Sequence, residues 1–327
     1  MPLYLKNTVF PVLLIILLGT LIYSNSLHVP FQFDDKDYII NNTAIQHHID
    51  PQAIWQSRWG KPRFVTFLTF ALNYHFSQLD PWGYHATNIT IHIINAVLVW
   101  QFVLLLLKIT PKPSTSAGPA SGPACPHIAL GVALLFLTHP IQTQAVTYIS
   151  QRFASLATLF YVTTLILYLQ SRLKKSNILL VLCFCTALLS MFSKQIALTL
   201  PVNIILIEWL LLKKRHRGPQ FKYTLILLGA LILVIPALYQ FNVTGILSRT
   251  TPSLSHEGDF LTPTTHFLTQ ARVVCRYLRL LVFPIGQNIH HDVAMSYNLL
   301  RPLTTLSSFA LIITLLICAF YMRNKKP

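Results

Sequence analysis

The sequence predicts an all-α polytopic membrane protein with about eight transmembrane helices and further juxtamembrane helices in two outer loops. Hydrophobic residues make up 53% of the 327 residues, charged residues 10%, and the mean hydropathy is +0.54. Such values are typical of chains solvated mainly by lipid. Apolar runs also recur at close to the roughly 20 residues that a membrane-spanning helix needs. Finally, basic residues are concentrated in alternate connecting segments, as expected for a multi-spanning chain.

Eight apolar runs define the predicted spans, in chain order 8–27, 85–107, 127–147, 153–170, 176–193, 196–212, 223–241 and 303–321. The first run is long and has no small-residue cleavage site, which favours an uncleaved anchor over a signal peptide. Two connections are much longer than turns and form the outer loops 28–84 and 242–302. The inner linker 108–126 is rich in Pro, Ser and Gly, which is typical of a flexible segment. We expect one membrane domain over 1–327 and no soluble domain.

The distribution of charge orients these spans. With Lys6 inside, the inner segments hold 14 of the 25 basic residues, and Glu208 is the one acid near that side. The inner side therefore carries about +13 of the net charge of +16, which predicts contact with anionic lipid headgroups. Nucleic acid is a poor partner for this chain because the basic residues are divided among separate loops.

Short helices are expected within both outer loops. Residues 51–59 can form a helix capped by Asp50, and the apolar run 64–76 is too short to span a membrane and is typical of an interfacial helix. In the second loop, 265–283 reads as a helix stopped near Pro284. Three of its basic residues recur at i, i+4 and i+7 and so share one face: Arg272, Arg276 and Arg279.

The acidic cluster at the start of the first outer loop is the strongest candidate for chemistry. Asp34, Asp35 and Asp37 are three of the nine acids in the chain. In an extended segment, Asp34 and Asp35 point to opposite sides, so that one faces a pocket and the other braces the loop. A carboxylate beside a sugar acceptor can take its hydroxyl proton. A solvated acidic loop and a divalent-metal site built from the three aspartates are the alternatives.

Cations on the outer side provide a counterpart to these carboxylates. Eleven basic residues oppose the positive-inside bias, and Lys194 and Arg152 do so within very short links between spans. Each of them alone can be explained as a side chain that extends to the headgroups. As a set, they are what a site for a lipid-linked phosphate requires, because guanidinium groups bind phosphate oxygens in pairs.

Histidines supply weaker candidates. His139-Pro140 is expected to end or kink the third span, and a histidine at the outer mouth can also contact substrate. The pairs His47-His48 and His290-His291, the latter followed by Asp292, are alternatives for metal ligation.

Seven segments of the chain stand out in this order: Phe33-Asp34-Asp35 with Tyr38-Ile39, Arg63-Phe64-Val65-Thr66, Leu72-Asn73-Tyr74, Pro81-Trp82-Gly83-Tyr84-His85, His139 to Val146, Ser193-Lys194-Gln195 with Leu200-Pro201, and Thr269 to Pro284. Together they resemble the membrane portion of the TMTC-type O-mannosyltransferases and their bacterial relatives. The resemblance covers nearly the whole chain.

The resemblance implies a GT-C glycosyltransferase fold, a polyprenyl-phosphate-linked sugar donor, and an acceptor protein or glycan on the outer face. It implies an aspartate of the first outer loop as catalytic residue, by position Asp34 or Asp35. We therefore predict an enzyme of the GT-C type that inverts the sugar linkage. We expect the donor phosphate to contact Lys194, Arg272, Arg276, Arg279 and Arg152. We expect sugar or acceptor to contact Arg63, His85, His139 and Tyr38.

The chain also departs from the family pattern. Relatives continue into tetratricopeptide repeats, whereas this sequence stops at Pro327, which suggests a partner protein in place of the repeats. Gln144 and Gln195 stand where many relatives have Glu, and Phe153-Ala154-Ser155 lacks an acid that often follows the arginine.

No cofactor is assigned, with a divalent metal as an open alternative. The expected location is a bacterial inner membrane with the site on the periplasmic face. A non-catalytic carrier of lipid-linked saccharides or a glycan-assembly subunit is the alternative function.

Overall fold

The computed structural model describes residues 6–46, 49–109, 126–212, 219–239, 253–254, 260–289 and 293–324. The chain forms two compact units, Met1–Gln240 and Phe241–Pro327, and each is described by itself. The predicted all-α class is confirmed, since the described strands are limited to one antiparallel pair of two residues each, β1 (Ser253–Leu254) and β2 (Phe260–Leu261). The prediction of a single domain stays a prediction.

The first unit is built from helices of very different lengths. In chain order they are α1 (Lys6–Tyr23), α2 (Thr43–Gln46), α3 (Pro51–Gln56), α4 (Phe64–Ser77), α5 (Pro81–Ile109), α6 (Pro126–Thr138), α7 (Thr143–Thr147), α8 (Arg152–Lys174), α9 (Asn177–Met191), α10 (Leu200–Leu210) and α11 (Pro219–Tyr239). The longest, α5, packs against α1, α4, α6 and α8, and α8 packs in turn on α9.

Two apolar clusters hold these long helices together. The first joins α1, α5 and α6 around Ala96, Trp100 and Leu137. The second joins α8, α9, α10 and α11. At the edge of the second cluster, Arg172 of α8 and Glu208 of α10 form a buried ion pair, with 2.6 Å between Arg172 Nε and Glu208 Oε1. The Tyr168 hydroxyl also donates to Glu208, so that the one acid of the predicted inner side is neutralised within the helix bundle.

The predicted elements of the first outer loop are confirmed. Helix α3 begins at Pro51, and the Asp50 carboxylate accepts hydrogen bonds from Gln52 and Ala53 at 2.8 and 3.2 Å, as an N-cap does. Helix α4 corresponds to the apolar run 64–76. A third apolar cluster, which includes Ile39, Ile54 and aromatic side chains of α4, fixes the loop on the start of α8.

Eight membrane spans are not confirmed within the described residues. Each of the eight predicted runs contains a helix, but four helices in the described part are long and apolar enough to cross a membrane. They are Thr8–Ser26, Pro81–Ile109, Ile149–Lys174 and Thr304–Met322. A fifth is α6 together with Pro140–Thr147 if this pair, bent by 49°, is counted as one span. Helix α9, with 15 residues, is only about 22 Å long, short of a hydrocarbon core of about 30 Å.

The second unit contains α12 (Pro263–Val282) and α13 (Thr304–Asn324), which pack on each other. Helix α12 begins at a capping box in which Thr262 and Thr265 exchange side chain and backbone hydrogen bonds. The predicted helix 265–283 is therefore confirmed, and so is the common face of its three arginines. Leu268 and Leu280 are buried on this helix.

Candidate active site

The acidic cluster adopts a tight turn that leads into a helical segment, so it does not have the extended backbone on which the alternation argument depends. Phe33 has a positive φ of 43°, a conformation that costs a non-glycine residue about 1–3 kcal/mol and persists only where its surroundings hold it. The backbone N–H of Asp35 bonds to the Gln32 carbonyl at 2.9 Å, and Lys36–Ile40 then form one wide helical turn. The alternation argument for Asp34 and Asp35 therefore fails, although the two side chains still have different surroundings.

Asp35 braces the turn. It is 1% exposed, and its two oxygens accept different backbone N–H groups, Oδ2 from Gln32 at 3.0 Å and Oδ1 from Ser150 at 2.7 Å. Burial raises the pKa of the Asp35 carboxyl, and these two bonds oppose the rise. Asp35 thus fastens the first outer loop to the segment Tyr148–Gln151, which precedes α8.

Asp34 is the exposed member of the pair. Its backbone N–H donates to the Tyr148 hydroxyl at 3.0 Å, and the Phe33 ring packs edge-on against the Tyr148 ring. The backbone of Asp34 is therefore held against Tyr148 while the residue itself is exposed. This is the arrangement that a general base needs, because the carboxylate must reach a substrate proton without being occupied by the protein.

Arg63 and Tyr38 lie beside this turn in an aromatic cradle. The Arg63 guanidinium stands 4.7 Å from the centroid of the Phe153 ring and 5.3 Å from that of Tyr38, distances at which a cation is attracted to the ring face. Tyr38 also packs edge-on against Trp59, Phe67 and Phe153. Stacking on two rings holds the Arg63 side chain in place.

Lys194 reaches the same segment from the link between α9 and α10. Its ammonium group donates to Gln151 Oε1 at 3.3 Å, next to the residue whose N–H binds Asp35. Burial lowers the pKa of Lys194, and the nearby positive charge of Arg63 lowers it further. Two cations are thus held within electrostatic range of each other, an arrangement that a bound anion would stabilise.

Arg152 differs from its predicted role as a phosphate ligand. Its guanidinium is fully buried and donates to oxygens of four residues, including Asn88 Oδ1 at 2.7 Å and the Tyr84 carbonyl at 2.9 Å. The Phe70 ring covers it at 4.5 Å. Because its N–H groups bond within the protein, we assign Arg152 to joining α4, α5 and α8. It is not carried forward as a phosphate ligand.

The two predicted histidines also have structural positions. His85 is fully buried, and its Nε2 lies 2.9 Å from the Val29 carbonyl oxygen, a contact that holds the start of the outer loop. Its Nδ1 has no hydrogen-bond partner among the described residues. The half-buried His139 precedes the bend after α6, and its Nδ1 accepts the Ile141 N–H at 3.2 Å. The predicted kink at His139-Pro140 is confirmed.

A buried polar stripe on α5 was missed by the sequence reasoning, which treated the middle of this span as apolar. Asn88, His92 and Asn95 follow His85 at helical spacing and are at most 2% exposed. Asn88 donates to the Val146 and Ile149 carbonyls, His92 contacts that of Leu137 at 3.1 Å, and Asn95 donates to that of Ser155. The Val146 and Ile149 carbonyls belong to the broken stretch between α6 and α8, and the Leu137 carbonyl to the last turn of α6 before the bend. Backbone groups at such a break need partners inside a membrane. The i, i+3, i+7, i+10 spacing was the available signal.

The arginines of α12 are described within the second unit alone. Arg272 is partly buried, and one of its N–H groups donates to the Ala294 carbonyl at 2.6 Å. Arg279 is exposed and donates to the Ile285 carbonyl at 3.3 Å, and Arg276 is partly buried. Their predicted contact with a donor phosphate stays a prediction.

Metal ligation finds no support in the part of the chain that the structure describes. Within those ranges, no three His, Cys, Asp or Glu side chains gather as a metal site does, and both carboxylate oxygens of Asp35 accept backbone N–H groups. The pairs His47-His48 and His290-His291, with Asp292, lie outside the described residues.

Comparison with known proteins gives a consistent set of relatives. The chain is 31% identical over 170 residues to the human protein O-mannosyl-transferase TMTC3, which is 49% of this chain and 17% of that protein. It is 29% identical over 205 residues to a protein O-mannosyl-transferase of Caenorhabditis elegans, and the match covers 59% of this chain and 27% of that protein. It is 29% identical over 170 residues to the human protein O-mannosyl-transferase TMTC4, and the match covers 47% of this chain and 22% of that protein. No protein-family model and no solved structure matches the chain.

These matches cover less than a third of each relative's length. The relatives named here are animal proteins, so they give no support to the predicted bacterial inner membrane. The described helices do support a membrane protein. The resemblance to TMTC-type protein O-mannosyltransferases that the ordered motifs predict is confirmed by these curated relatives.

Proposed function

We propose that this chain is a membrane glycosyltransferase of the GT-C type that moves a sugar from a polyprenyl-phosphate donor to an acceptor hydroxyl. The relatives' printed names support a protein acceptor and mannose as the first sugar to test. The observation that carries the proposal is the pairing at Tyr148–Gln151 of an exposed Asp34 with a braced Asp35 and a lysine.

The two carboxylates have separate roles in this proposal. Asp34 is the base that accepts the proton of the acceptor hydroxyl as its oxygen attacks the anomeric carbon. Asp35 is a positioning residue, because both its oxygens are occupied by backbone N–H groups and its effect reaches the substrate through the turn. The difference in exposure between the two residues supports this choice of Asp34 as the base.

The cations act on the leaving group. As the new carbon–oxygen bond forms, the bond between the anomeric carbon and the phosphate oxygen breaks, and its electron pair stays on the polyprenyl phosphate. Lys194 and Arg63 stabilise that negative charge. The Tyr38 ring stacks on the Arg63 guanidinium and so helps to position it. A direct displacement of this kind inverts the anomeric configuration. Arg272, Arg276 and Arg279 remain proposed phosphate ligands on the strength of their shared helix face.

The site is proposed to lie on the outer face, opposite the basic inner segments. In the expected bacterial inner membrane, this would be the periplasmic face.

The test uses purified full-length chain in lipid nanodiscs, polyprenyl phosphate mannose labelled in the sugar, and peptides rich in Ser and Thr. We expect labelled peptide and a matching loss of donor from the wild-type chain. Lys194→Gln and Arg63→Gln should weaken donor use, whereas Asp37→Asn, an exposed carboxylate of the same cluster, should have little effect.

Two outcomes would contradict the proposal. Tight donor binding without any loss of donor would indicate a binding-only assembly subunit. Movement of intact donor from one leaflet to the other would indicate a carrier. Carriers need polar groups near the membrane midplane that rearrange during transport. The polar stripe of α5 is bonded to backbone carbonyls of its neighbours, which favours the enzyme.

A further inference from the structure

An apolar groove runs between α9 and α11, away from the acidic cluster. It has a volume of about 320 Å³. Three residues of each helix form most of its walls: Leu180, Val181, Phe184, Tyr223, Ile226 and Ala230. Val181 and Ile226 are 60% and 67% exposed. The walls repeat at i, i+3 or i+4, and i+7 on both helices, so that the groove follows the helix axes.

Basic residues are close in sequence to Asn177 and Tyr223, which line one end of this groove. Lys174 and Lys175 end α8 immediately before α9, and both are exposed. Lys222 precedes Tyr223 on α11 and is also exposed. No acid occurs in residues 171–184 or 219–239 of the sequence. The positive charge at this mouth therefore has no local counterpart in those two segments.

The mouth also has a polar rim. Asn177 lines it at the first turn of α9, and the amphipathic Tyr223 lines it on α11. Ser176, which precedes α9, makes no side-chain capping bond, and the positive end of the α9 dipole adds to the attraction of an anion. From Asn177 to Phe184 the groove is about 10 Å long, some two thirds of the roughly 15 Å of hydrocarbon in one leaflet.

We propose that this groove is a binding site for one anionic phospholipid of the surrounding bilayer. An acyl chain lies in the groove between α9 and α11. The phosphate lies at the mouth, where Lys174, Lys175 and Lys222 bind it together with the start of α9. The combination is specific because an apolar groove alone accepts any lipid, whereas three cations at its polar end select a negatively charged headgroup.

The experiment measures lipid retention by the full-length chain. Nanodiscs containing equal amounts of phosphatidylglycerol and phosphatidylcholine with identical acyl chains are dissolved in mild detergent, and native mass spectrometry identifies the lipids that stay bound. We expect one phosphatidylglycerol to be retained in preference to phosphatidylcholine. Lys174→Gln and Lys222→Gln should each reduce this preference about fivefold. Lys108→Gln, an exposed lysine at the end of α5, is the matched control and should leave it unchanged.

A second pair of variants tests the groove apart from the charge. Ala230→Phe fills the groove while all three lysines remain, and Val181→Phe does so from its exposed edge. Whichever of these keeps the wild-type melting temperature should lose the retained lipid. The proposal is overturned if Lys108→Gln weakens retention as much as Lys222→Gln, or if groove filling leaves retention unchanged. Either result would indicate that anionic lipids surround this basic membrane protein without a specific site in the groove.

Discussion

Replacing Asp35 by asparagine tests whether this buried carboxylate braces the catalytic turn. The carboxylate accepts one backbone N–H at each oxygen, from Gln32 at 3.0 Å and from Ser150 at 2.7 Å. Asparagine has nearly the same shape but a single acceptor oxygen. Its NH₂ group must therefore face one of the two N–H groups, and that donor is left without an acceptor.

The expected loss follows from these two bonds. A hydrogen bond to a charged group contributes about 1.5–3 kcal/mol, and a buried donor without a partner costs about 1–3 kcal/mol. Burial disfavours the ionised carboxylate and so offsets part of its contribution. We expect a loss of about 2–3 kcal/mol, seen as a fall of several degrees in melting temperature at about 2–4 °C per kcal/mol.

The assay combines thermal unfolding with sugar transfer for Asp34→Asn and Asp35→Asn. Asp35→Asn should lower the melting temperature and reduce kcat, since the turn that carries Asp34 is loosened. Asp34→Asn should leave the melting temperature within the small range typical of exposed substitutions, about 0.5 kcal/mol. The reasoning is refuted if Asp35→Asn is as stable as the wild type, because the two bonds would then contribute nothing to the turn.

Three further predictions concern charges elsewhere in the first unit. Burial lowers the pKa of Lys194 below the roughly 10.4 of a free lysine. Because the proposed role needs the charged form, kcat/KM for the donor should fall as pH rises through that lowered pKa. Lys194→Arg should remove this alkaline fall, and a variant with the wild-type pH profile would contradict the role of Lys194. Asn88→Leu should destabilise the chain by about 2–3 kcal/mol in thermal unfolding, since the buried Arg152 loses an acceptor. Glu208→Gln should cost about 3 kcal/mol in the same measurement, because Arg172 becomes a buried charge without its partner, and wild-type stability would refute the pairing.

Local signals in the sequence predicted several elements closely. Asp50 before Pro51 gave the start of α3, His139-Pro140 gave the kink after α6, and the arginine spacing of α12 gave its common face. Each of these depends on a few neighbouring residues, whose chemistry limits the backbone directly. The eight predicted spans are not all confirmed, because hydropathy reports a run of apolar residues and not the length of the helix within it, which is 15 residues for α9.

The candidate site needed tertiary information. Asp34 and Asp35 are indistinguishable by type and position, and their roles are separated by Ser150 and Tyr148, more than 100 residues further along the chain. Arg152 looked like a surface cation in a short link, whereas the helix direction carries its side chain into the bundle. Lys194 and Arg63 were assigned to different ligands, phosphate and acceptor, yet they influence each other electrostatically.

The central claim is that Asp34 is the base of a sugar transfer, and the most direct test is single-turnover transfer by Asp34→Asn with the donor bound in advance. The account predicts unchanged donor binding and a rate lower by about 10²–10⁴-fold, with Asp37→Asn near the wild-type rate. Full transfer activity in Asp34→Asn would contradict it, because the Asp34 carboxylate would then not be required for the chemistry.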